Sequence, residues 1–388
     1  MNFSFLSAVE DRVVAHNELL SAQALGRQIK VHSSQFGVPD LDEVKIALIG
    51  VPENRNDVDY IGEDLSFEGI RTALYGLFPG NWASLIADLG NIQAGETVED
   101  TYFALRSVIH DLLKRNIIPI VLGGSQDLTY PVYRAYDDLI PMINIVNVDS
   151  NFDLGDSSKP ITNKSFLGKI IMEKPYNLFN YATLGYQTYF NAQDEIDLME
   201  KLYFEAYRLG DVSGNIKHVE PVLRDANIMS LDLRSVRSAE LSLRQRFSPN
   251  GFDGKEICAI SRYAGISNKV SSFGIFEYKP SKDDDMTAIL IAQIIWYFIE
   301  GVNCRIMDED FDDDRHYQKF TVLADESELK FLKSNKTGRW WIEIPFLPNV
   351  NNKLKRHTLL PCMHEDYVDA TNGIIPERWY KAFKKNSL

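Results

Sequence analysis

Five short apolar runs recur along the chain, and each ends in a polar or glycine-rich turn. They are rich in valine, isoleucine and leucine and do not alternate with polar residues. This is the pattern of strands whose two faces are both buried. The runs that we predict to be strands are Lys45–Val51, Ile117–Leu122, Met142–Val148, Asn227–Leu233 and Val270–Phe276.

Helical patterns lie between and after these runs. The segments predicted to be helices are Thr101–Lys114, Asp194–Leu209 and Thr287–Glu300. Because strands that alternate with helices form parallel sheets, the sequence predicts an α/β fold with a mostly parallel central sheet and helices on both of its faces.

Three regions differ in character. The residues up to 42 form a peripheral, helical N-terminal segment, residues 43–304 form the α/β domain, and residues 305–388 form a C-terminal extension packed on that domain. The extension begins with the acidic run Asp308–Asp314, predicted to be a solvated loop, and continues through a turn at Ser334–Thr337 into a strand at Gly338–Phe346. Trp340, Trp341 and Trp379 are expected to pack this extension onto the domain, in preference to forming a partner surface.

Charge excludes two classes of partner. The formal net charge is −14, with 25% charged residues and 45% hydrophobic residues. A chain so acidic lacks the basic surface that binds nucleic acid or an anionic membrane. The longest apolar stretch, Ala288–Ile299, is shorter than a membrane helix and is interrupted by Gln293, so no membrane span is predicted.

The cysteines and the N-terminus indicate a reducing compartment. Cys258, Cys304 and Cys362 are odd in number and far apart, which favours free thiols. The first residues lack a basic start, and acids arrive at Glu10 and Asp11, so we predict no signal peptide and a cytoplasmic protein.

Functional groups of a parallel sheet collect at the carboxyl ends of its strands. The residues at the predicted strand ends are Gly123–Asp127, Asp149–Asp153, Asp232–Arg234 and Glu277.

The motifs at these four strand ends resemble those of the arginase (ureohydrolase) superfamily. The family pattern is Gly-Gly-Asp-His-Ser, Asp-Ala-His-x-Asp, Ser-x-Asp-x-Asp and Glu-x-x-Pro. The corresponding segments here are Gly123–Asp127 (GGSQD), Asp149–Asp153 (DSNFD), Ser230–Arg234 (SLDLR) and Glu277–Pro280 (EYKP). The resemblance spans residues 44–300 and is strongest to formimidoylglutamases, which carry a small-polar loop where this chain has Asn163–Ile170. It implies a three-layer α/β/α fold.

The same resemblance implies a metal centre in which ligands have been replaced. The family binds two manganese ions through two histidines and four aspartates. The six positions correspond here to Gln126, Asp149, Asn151, Asp153, Asp232 and Arg234. An amide offers a metal only its carbonyl oxygen, and a guanidinium offers no lone pair. We therefore do not expect a manganese pair, and we expect Asn151 and Arg234 to mark a vestigial site without catalytic residues.

Arg234 is expected to compensate for the missing metals. Three crowded carboxylates cannot all stay ionised and unpaired inside a protein. We hypothesise that the Arg234 guanidinium occupies the vacated space and pairs with Asp232, Asp149 or Asp153. The alternative is that Arg234 points outward and that the aspartates cap turns.

Two further assignments remain open. Gln126, Asp149, Asp153 and Asp232 form a set of oxygen donors that suits a single Mg²⁺ or Ca²⁺, although no cofactor is the leading expectation. Glu277 corresponds to the family's contact with the cationic end of a substrate, so it is our candidate for ligand binding. It is equally well explained by a salt bridge to a neighbour such as Lys279.

Three functions follow from this interpretation. The leading one is a non-catalytic relative that works as a scaffold, an assembly subunit or a ligand sensor. The second is a hydrolase of a formimidoyl or guanidino carbon–nitrogen bond that uses at most one hard cation. The third is a metal-free enzyme in which Asp127, Asp149, Asp153 and Glu277 perform acid–base work. The resemblance implies a homo-oligomer, and the C-terminal extension is a candidate surface for a protein partner.

Overall fold

The computed structural model describes residues 3–59, 65–82, 84–242, 248–280, 285–308, 311, 313, 315–324, 327–345 and 359–387. The strands in this part of the chain are β1 (Leu6–Ser7), β2 (Lys30–Val31), β3 (Ile46–Val51), β4 (Ile86–Ile92), β5 (Ile118–Gly123), β6 (Ile143–Val148), β7 (Leu178–Tyr186), β8 (Glu205–Arg208), β9 (Ile228–Asp232), β10 (Ser272–Phe276), β11 (Tyr317–Ala324), β12 (Ser327–Ser334), β13 (Trp340–Glu343) and β14 (Leu359–Cys362). The α-helices are α1 (Asp11–Asn17), α2 (Glu68–Gly76), α3 (Val98–Lys114), α4 (Thr129–Arg134), α5 (Phe166–Met172), α6 (Gln193–Lys201), α7 (Leu209–Gly214), α8 (Val219–Arg224), α9 (Gly254–Ile266), α10 (Asp285–Asn303), α11 (His364–Thr371) and α12 (Glu377–Ser387).

A ten-stranded sheet forms the centre of the molecule. Nine strands run in the order β1-β4-β3-β5-β10-β9-β6-β7-β8, and β2 pairs with β4. All of the pairings are parallel except that of β1 with β4. The five predicted strands are confirmed as β3, β5, β6, β9 and β10, and the predicted α/β fold with it.

Successive side chains of a strand pack into two different hydrophobic cores, one on each face of the sheet. In β3, Ile46 and Leu48 pack with α2, α9 and α10, whereas Ala47 and Ile49 pack with α3, α4 and α5 on the other face. Because side chains alternate between the two faces of a strand, a strand between two helical layers must be apolar at every position. This explains the continuous runs and gives the three-layer architecture.

One predicted helix is partly wrong. Asp194–Leu209 was expected to be helical throughout, but α6 ends at Lys201 and β8 follows at Glu205–Arg208. Tyr203 has a φ of 54°, which an α-helix does not allow. The chain then turns and pairs with β7 at the edge of the sheet, so strand pairing overrides the local helical pattern.

The predicted helix Thr287–Glu300 lies within α10, which is long and apolar enough, by length and composition, to cross a membrane. More than half of its apolar stretch is buried, and it packs against α9 and α2. The core helix of a globular protein has the same properties, so the absence of a membrane span stays a prediction.

The N-terminal residues contain the short helix α1, and they also supply β1 and β2 to the sheet. The C-terminal residues form a separate antiparallel sheet in the order β11-β12-β13-β14, covered by α11 and α12. Part of the acidic run Asp308–Asp314 lies outside the described residues. So does Phe346, the last residue of the predicted strand Gly338–Phe346. The division of the chain at residues 42 and 304 stays a prediction.

The extension is tied to the α/β domain through buried polar contacts. Arg224 of α8 donates from Nη2 to the carbonyl oxygens of Trp340 and Cys362, at 3.1 Å each, and its guanidinium lies 4.5 Å from the centre of the Trp341 ring. Trp341 therefore packs on the domain as expected. Trp340 and Trp379 instead belong to the core of the extension itself. All three cysteines are free thiols.

Candidate metal centre

Four neighbouring strands bring the motif residues together. β5, β10, β9 and β6 are adjacent and parallel, so their carboxyl ends meet at one edge of the sheet. Gln126 follows β5, Asp149 follows β6, Asp232 ends β9 and Glu277 follows β10. All four are fully buried. This is the edge at which open α/β sheets bind ligands.

Three carboxylates form a cluster at this edge. Asp149, Asp153 and Asp232 each offer an oxygen atom within 4.8 Å of the others. Asp153 has a φ of 53°, and its carbonyl oxygen accepts a hydrogen bond of 3.2 Å from the backbone N–H of Leu167 in α5. Its Oδ2 atom is buried and accepts no hydrogen bond from the described residues. The three aspartates therefore lie close enough together to share one metal ion.

The side chain of Arg234 points into this cluster. Its Nε and Nη2 atoms lie 2.7 and 2.5 Å from Oδ2 of Asp232, and its backbone N–H donates to Oδ1 of the same residue at 2.6 Å. Nη2 also lies 4.0 Å from Oδ2 of Asp153 and donates to Oε1 of Gln126 at 3.4 Å. The side chain is 16% exposed. The guanidinium thus contacts three of the six positions that correspond to metal ligands.

Asn147, which our sequence analysis did not single out, links the two sides of the cluster. Gln126 donates from Nε2 to Oδ1 of Asn147 at 2.9 Å, and Asn147 donates from Nδ2 to Oδ2 of Asp149 at 3.0 Å. Asn147 could have been found as a polar residue inside the apolar run of β6, because a buried amide must find hydrogen-bond partners.

Asn151 does not direct its side chain into the cluster. Its backbone N–H donates to Oδ1 of Asp149 at 2.9 Å, but its side-chain amide donates to the carbonyl oxygen of Phe190 at 3.1 Å. The structure therefore brings together Gln126, the three aspartates and Arg234. The side-chain amide of Asn151 instead stabilises the turn after β7 through its hydrogen bond to Phe190.

Glu277 is surrounded by donors. Its Oε1 atom accepts hydrogen bonds of 3.0 Å from the backbone N–H of Gln126 and from Nδ2 of Asn163, and its Oε2 atom lies 2.9 Å from Nζ of Lys279. Lys279 also pairs with the buried carboxylate of Asp57. The salt bridge to Lys279 is thus present, while the ligand contact of Glu277 stays a prediction.

Burial and neighbouring charges set the protonation of the cluster. Burial, together with the carboxylate of Asp149, raises the pKa of Asp153 well above its ordinary value and favours its neutral form. Burial opposes ionisation of Glu277 as well, but Arg234 and Lys279 outweigh it, so the pKa of Glu277 is lowered. Burial disfavours the charged guanidinium of Arg234, yet Asp232 and Glu277 raise its pKa well above the ordinary value. The site therefore holds a permanent internal cation.

Asp127 is a further buried acid, next to Gln126 in the chain. Asp127 accepts hydrogen bonds from the hydroxyl groups of Ser125 and Tyr102, and burial raises its pKa to about 7. Relative to the family motif, the acid and the serine have exchanged places across Gln126. In this chain Ser125 and Asp127 contact each other.

The sequence model described as "Arginase family" matches residues 44–300, about two thirds of the chain and all of the strand ends described above. The chain belongs to the arginase family. Among relatives, the formimidoylglutamase of Ralstonia nicotianae is 26% identical over 267 residues, covering 62% of this chain and 79% of that protein. The formimidoylglutamase of Staphylococcus epidermidis is 27% identical over 239 residues, covering 58% and 75%.

Solved arginase-family structures have the same fold. Trypanosoma cruzi formiminoglutamase with Mn²⁺ is similar with a TM-score of 0.60 and 17% identity, over 70% of this chain and 98% of that one. The agmatine ureohydrolase of Thermoplasma volcanium is similar with a TM-score of 0.56 and 20% identity, over 74% and 97%. Each of these structures leaves more than a quarter of the present chain unmatched.

Proposed function

We propose that this arginase-family protein has lost the two-metal hydrolytic centre and acts by binding, as a scaffold, an assembly subunit or a ligand sensor. The observation that carries the proposal is the position of Arg234. Its guanidinium contacts Asp232, lies near Asp153 and donates to Gln126, three residues at positions that hold metal in the family.

Electrostatics support this proposal. Two unit positive charges 4 Å apart repel each other by about 4 kcal/mol at an effective dielectric constant of 20, and a divalent ion doubles that cost. A metal bound to Asp232 would lie within a few ångströms of Arg234, because Nε and Nη2 both approach the same carboxylate oxygen of Asp232. A manganese pair therefore does not fit the residues of this site.

The donors that remain limit the kind of metal that the site could hold. Both histidine positions of the family are occupied by amides, and a site built only from carboxylate and amide oxygens suits a hard cation such as Mg²⁺, Ca²⁺ or Mn²⁺. The described residues of the cluster offer carboxylate and amide oxygens only. The side chain of Asn151, at a position where the family has histidine, bonds to Phe190 instead.

A second candidate function is a hydrolase of a formimidoyl or guanidino carbon–nitrogen bond that uses one hard cation. Asp149, Asp153 and Asp232 still lie close enough to share one ion. The relatives named above are formimidoylglutamases, and one similar structure contains Mn²⁺. This candidate requires Arg234 to move away from Asp232.

Metal content and metal-dependent stability separate the two functions. The full chain is purified without chelator, its metal content is measured, and its melting temperature is recorded with added Mn²⁺, Mg²⁺ or Ca²⁺. A metal that binds the folded state raises the melting temperature with concentration. We expect no bound metal and no shift. Two manganese ions per chain, or turnover of N-formimidoylglutamate that a chelator abolishes, would overturn the proposal.

We also propose that the protein is cytoplasmic and that the C-terminal extension provides the surface for a second copy or a different protein. The family model ends at residue 300, so this surface is additional to the matched domain. Size-exclusion chromatography with light scattering, on the full chain, measures whether it forms an oligomer.

A further inference from the structure

A groove of about 400 Å³ opens beside the metal centre, at the carboxyl ends of β7 and β8. One wall is the turn after β7, which includes Gln187 and Tyr189. The opposite wall contains the start of α7 and the segment from Pro249 to Gly251. This groove contains none of the candidate metal ligands. It lies at the same edge of the sheet, where α/β proteins bind small molecules.

The walls of the groove are fixed by hydrogen bonds. Gln187 donates from its backbone N–H to the carbonyl oxygen of Ser150 at 3.0 Å and from Nε2 to that of Asn250 at 3.2 Å, so it joins both walls. Gly251 permits the close approach of the second wall, because an added Cβ would lie 2.5 Å from the backbone nitrogen of Arg237. The groove is therefore a preformed feature.

Asn151 connects the groove to the vestigial centre. The same turn is held by the Asn151 amide, which donates to the carbonyl oxygen of Phe190. The residue that replaces a histidine ligand thus supports the wall of the groove. This contact gives the substitution a structural role outside the metal centre.

The charge of the groove differs from that of the whole protein. Among the described residues that line it, two are arginines, Arg208 and Arg237, and none is acidic, although the chain carries a net charge of −14. Arg237 is held at the rim by Glu240, which accepts hydrogen bonds of 2.9 and 2.5 Å from its Nε and Nη2 atoms. Arg208 is exposed and donates only from Nε, to the Tyr186 hydroxyl at 3.2 Å, among the contacts of the described residues. The outer nitrogen atoms of Arg208 are available to a ligand.

Apolar surface lies next to these cations. The ring of Tyr189 is 65% exposed, and Leu209 and Pro249 also line the groove. A guanidinium binds a carboxylate through two parallel hydrogen bonds, and an exposed aromatic ring contacts the carbon skeleton of a ligand. An inorganic ion would use only the first of these features.

We propose that this groove binds a small organic carboxylate, with Arg208 as the main contact of the carboxylate and Tyr189 as the contact of its carbon skeleton. Arg237 is paired with Glu240 and lies 3.9 Å from Asp253, so Arg208 alone carries the cationic contact. The proposal does not depend on how the metal centre is filled, because none of these contact residues is a candidate metal ligand. Such a site would allow a non-catalytic member of the family to bind a small molecule as a sensor does.

The test is a calorimetric titration of the full chain, in the presence of chelator and at constant ionic strength, with acetate, glutarate, glutamate and benzoate. Inorganic phosphate and chloride serve as anions without a carbon skeleton. We expect saturable binding of at least one carboxylate with a Kd of about 1 mM or tighter, and weaker binding of phosphate. Arg208→Ala is expected to reduce the affinity at least about 10-fold, since the charge-assisted hydrogen bonds to the carboxylate are lost.

Matched variants identify the groove as the binding site. Arg115→Ala removes an exposed arginine at the end of α3 and should leave affinity unchanged, whereas Tyr189→Ala should weaken carboxylates more than phosphate. Absence of saturable binding across the panel overturns the proposal. So does equal affinity for phosphate, or equal loss in the Arg208 and Arg115 variants. Because chelator is present throughout, a negative result does not bear on the metal-content experiment.

Discussion

The guanidinium of Arg234 donates a hydrogen bond of 2.7 Å from Nε to Oδ2 of Asp232, two residues earlier in the chain, and its Nη2 atom lies 2.5 Å from the same oxygen. Asp232 ends β9, the strand between β6 and β10, so Arg234 projects into the space that the other strand ends surround. The cation that balances the carboxylates is therefore supplied by the chain itself. This relationship leads to the first three predictions.

Removing Arg234 should destabilise the metal-free protein. Arg234→Ala removes the cation that contacts Asp232 inside the protein, and breaking a buried ion pair from one side costs about 3–5 kcal/mol. The free energy of unfolding is measured with urea at pH 7 in the presence of chelator.

Arg237→Ala is the matched control. Arg237 pairs with Glu240 but is 43% exposed, so we expect a loss below about 1 kcal/mol. Equal losses in the Arg234 and Arg237 variants would contradict the role of Arg234 as the internal cation.

Free guanidinium should restore part of the stability of Arg234→Ala. The truncated side chain leaves a space lined by Asp232, Asp153 and the side-chain Oε1 atom of Gln126. These are the groups that the guanidinium contacts in the native protein. A ligand that binds only the folded state raises the melting temperature. We expect low concentrations of guanidinium chloride to raise the melting temperature of the variant and not that of the native protein. Sodium chloride at the same ionic strength is the control, and an equal response to both salts would exclude a specific site.

Restoring the family's ligands should restore metal binding. The triple variant Gln126→His, Asn151→His and Arg234→Asp provides two histidines and four aspartates at the six positions. With Mn²⁺ at about 100 times its Kd, binding should stabilise the variant by about 3 kcal/mol. Asn151→His alone should not respond, because Arg234 remains against Asp232. A manganese-dependent shift in the native chain would show that the centre was never lost.

The attachment of the C-terminal extension should depend on Glu205 and on pH. Glu205 of β8 accepts a hydrogen bond of 2.7 Å from Nε of Arg378 in α12. Burial opposes the ionisation of Glu205, but Arg378 and Lys385 outweigh it and lower its pKa from 4.5 to about 2. A carboxyl whose pKa is lowered on folding stabilises the protein above its ordinary pKa, and this contribution is lost as the pH falls from about 4.5 to about 2.

The corresponding variant is Glu205→Gln. At pH 7 it should lose about 3 kcal/mol of the free energy of unfolding, since each pKa unit corresponds to about 1.4 kcal/mol. The difference from the native protein should shrink as the pH falls below about 4.5. Glu365→Gln, at an exposed position of α11, should show no such dependence. A difference that is constant with pH would exclude the ionised Glu205–Arg378 pair as its source.

The sequence predicted the central part of the sheet but missed several strands. β3, β5, β6, β9 and β10 are buried on both faces, so their runs are mainly apolar and easily recognised. β7 mixes aromatic, polar and glycine residues, and β8 at the edge has only four residues, one of them Glu205. Such strands form because a neighbouring strand offers backbone partners, which a local pattern does not reveal.

By itself, the sequence determined the order of the motifs and the chemical types present at each strand end, because these are properties of single residues and short segments. Arg234 carries no lone pair for a metal in any fold. Only the tertiary structure decided that Arg234 points inward to Asp232, that Asn151 turns outward to Phe190, and that Asn147 links Gln126 to Asp149. The direction of a long polar side chain depends on partners from distant segments, and those partners are adjacent only after the strands have assembled in the order β5-β10-β9-β6.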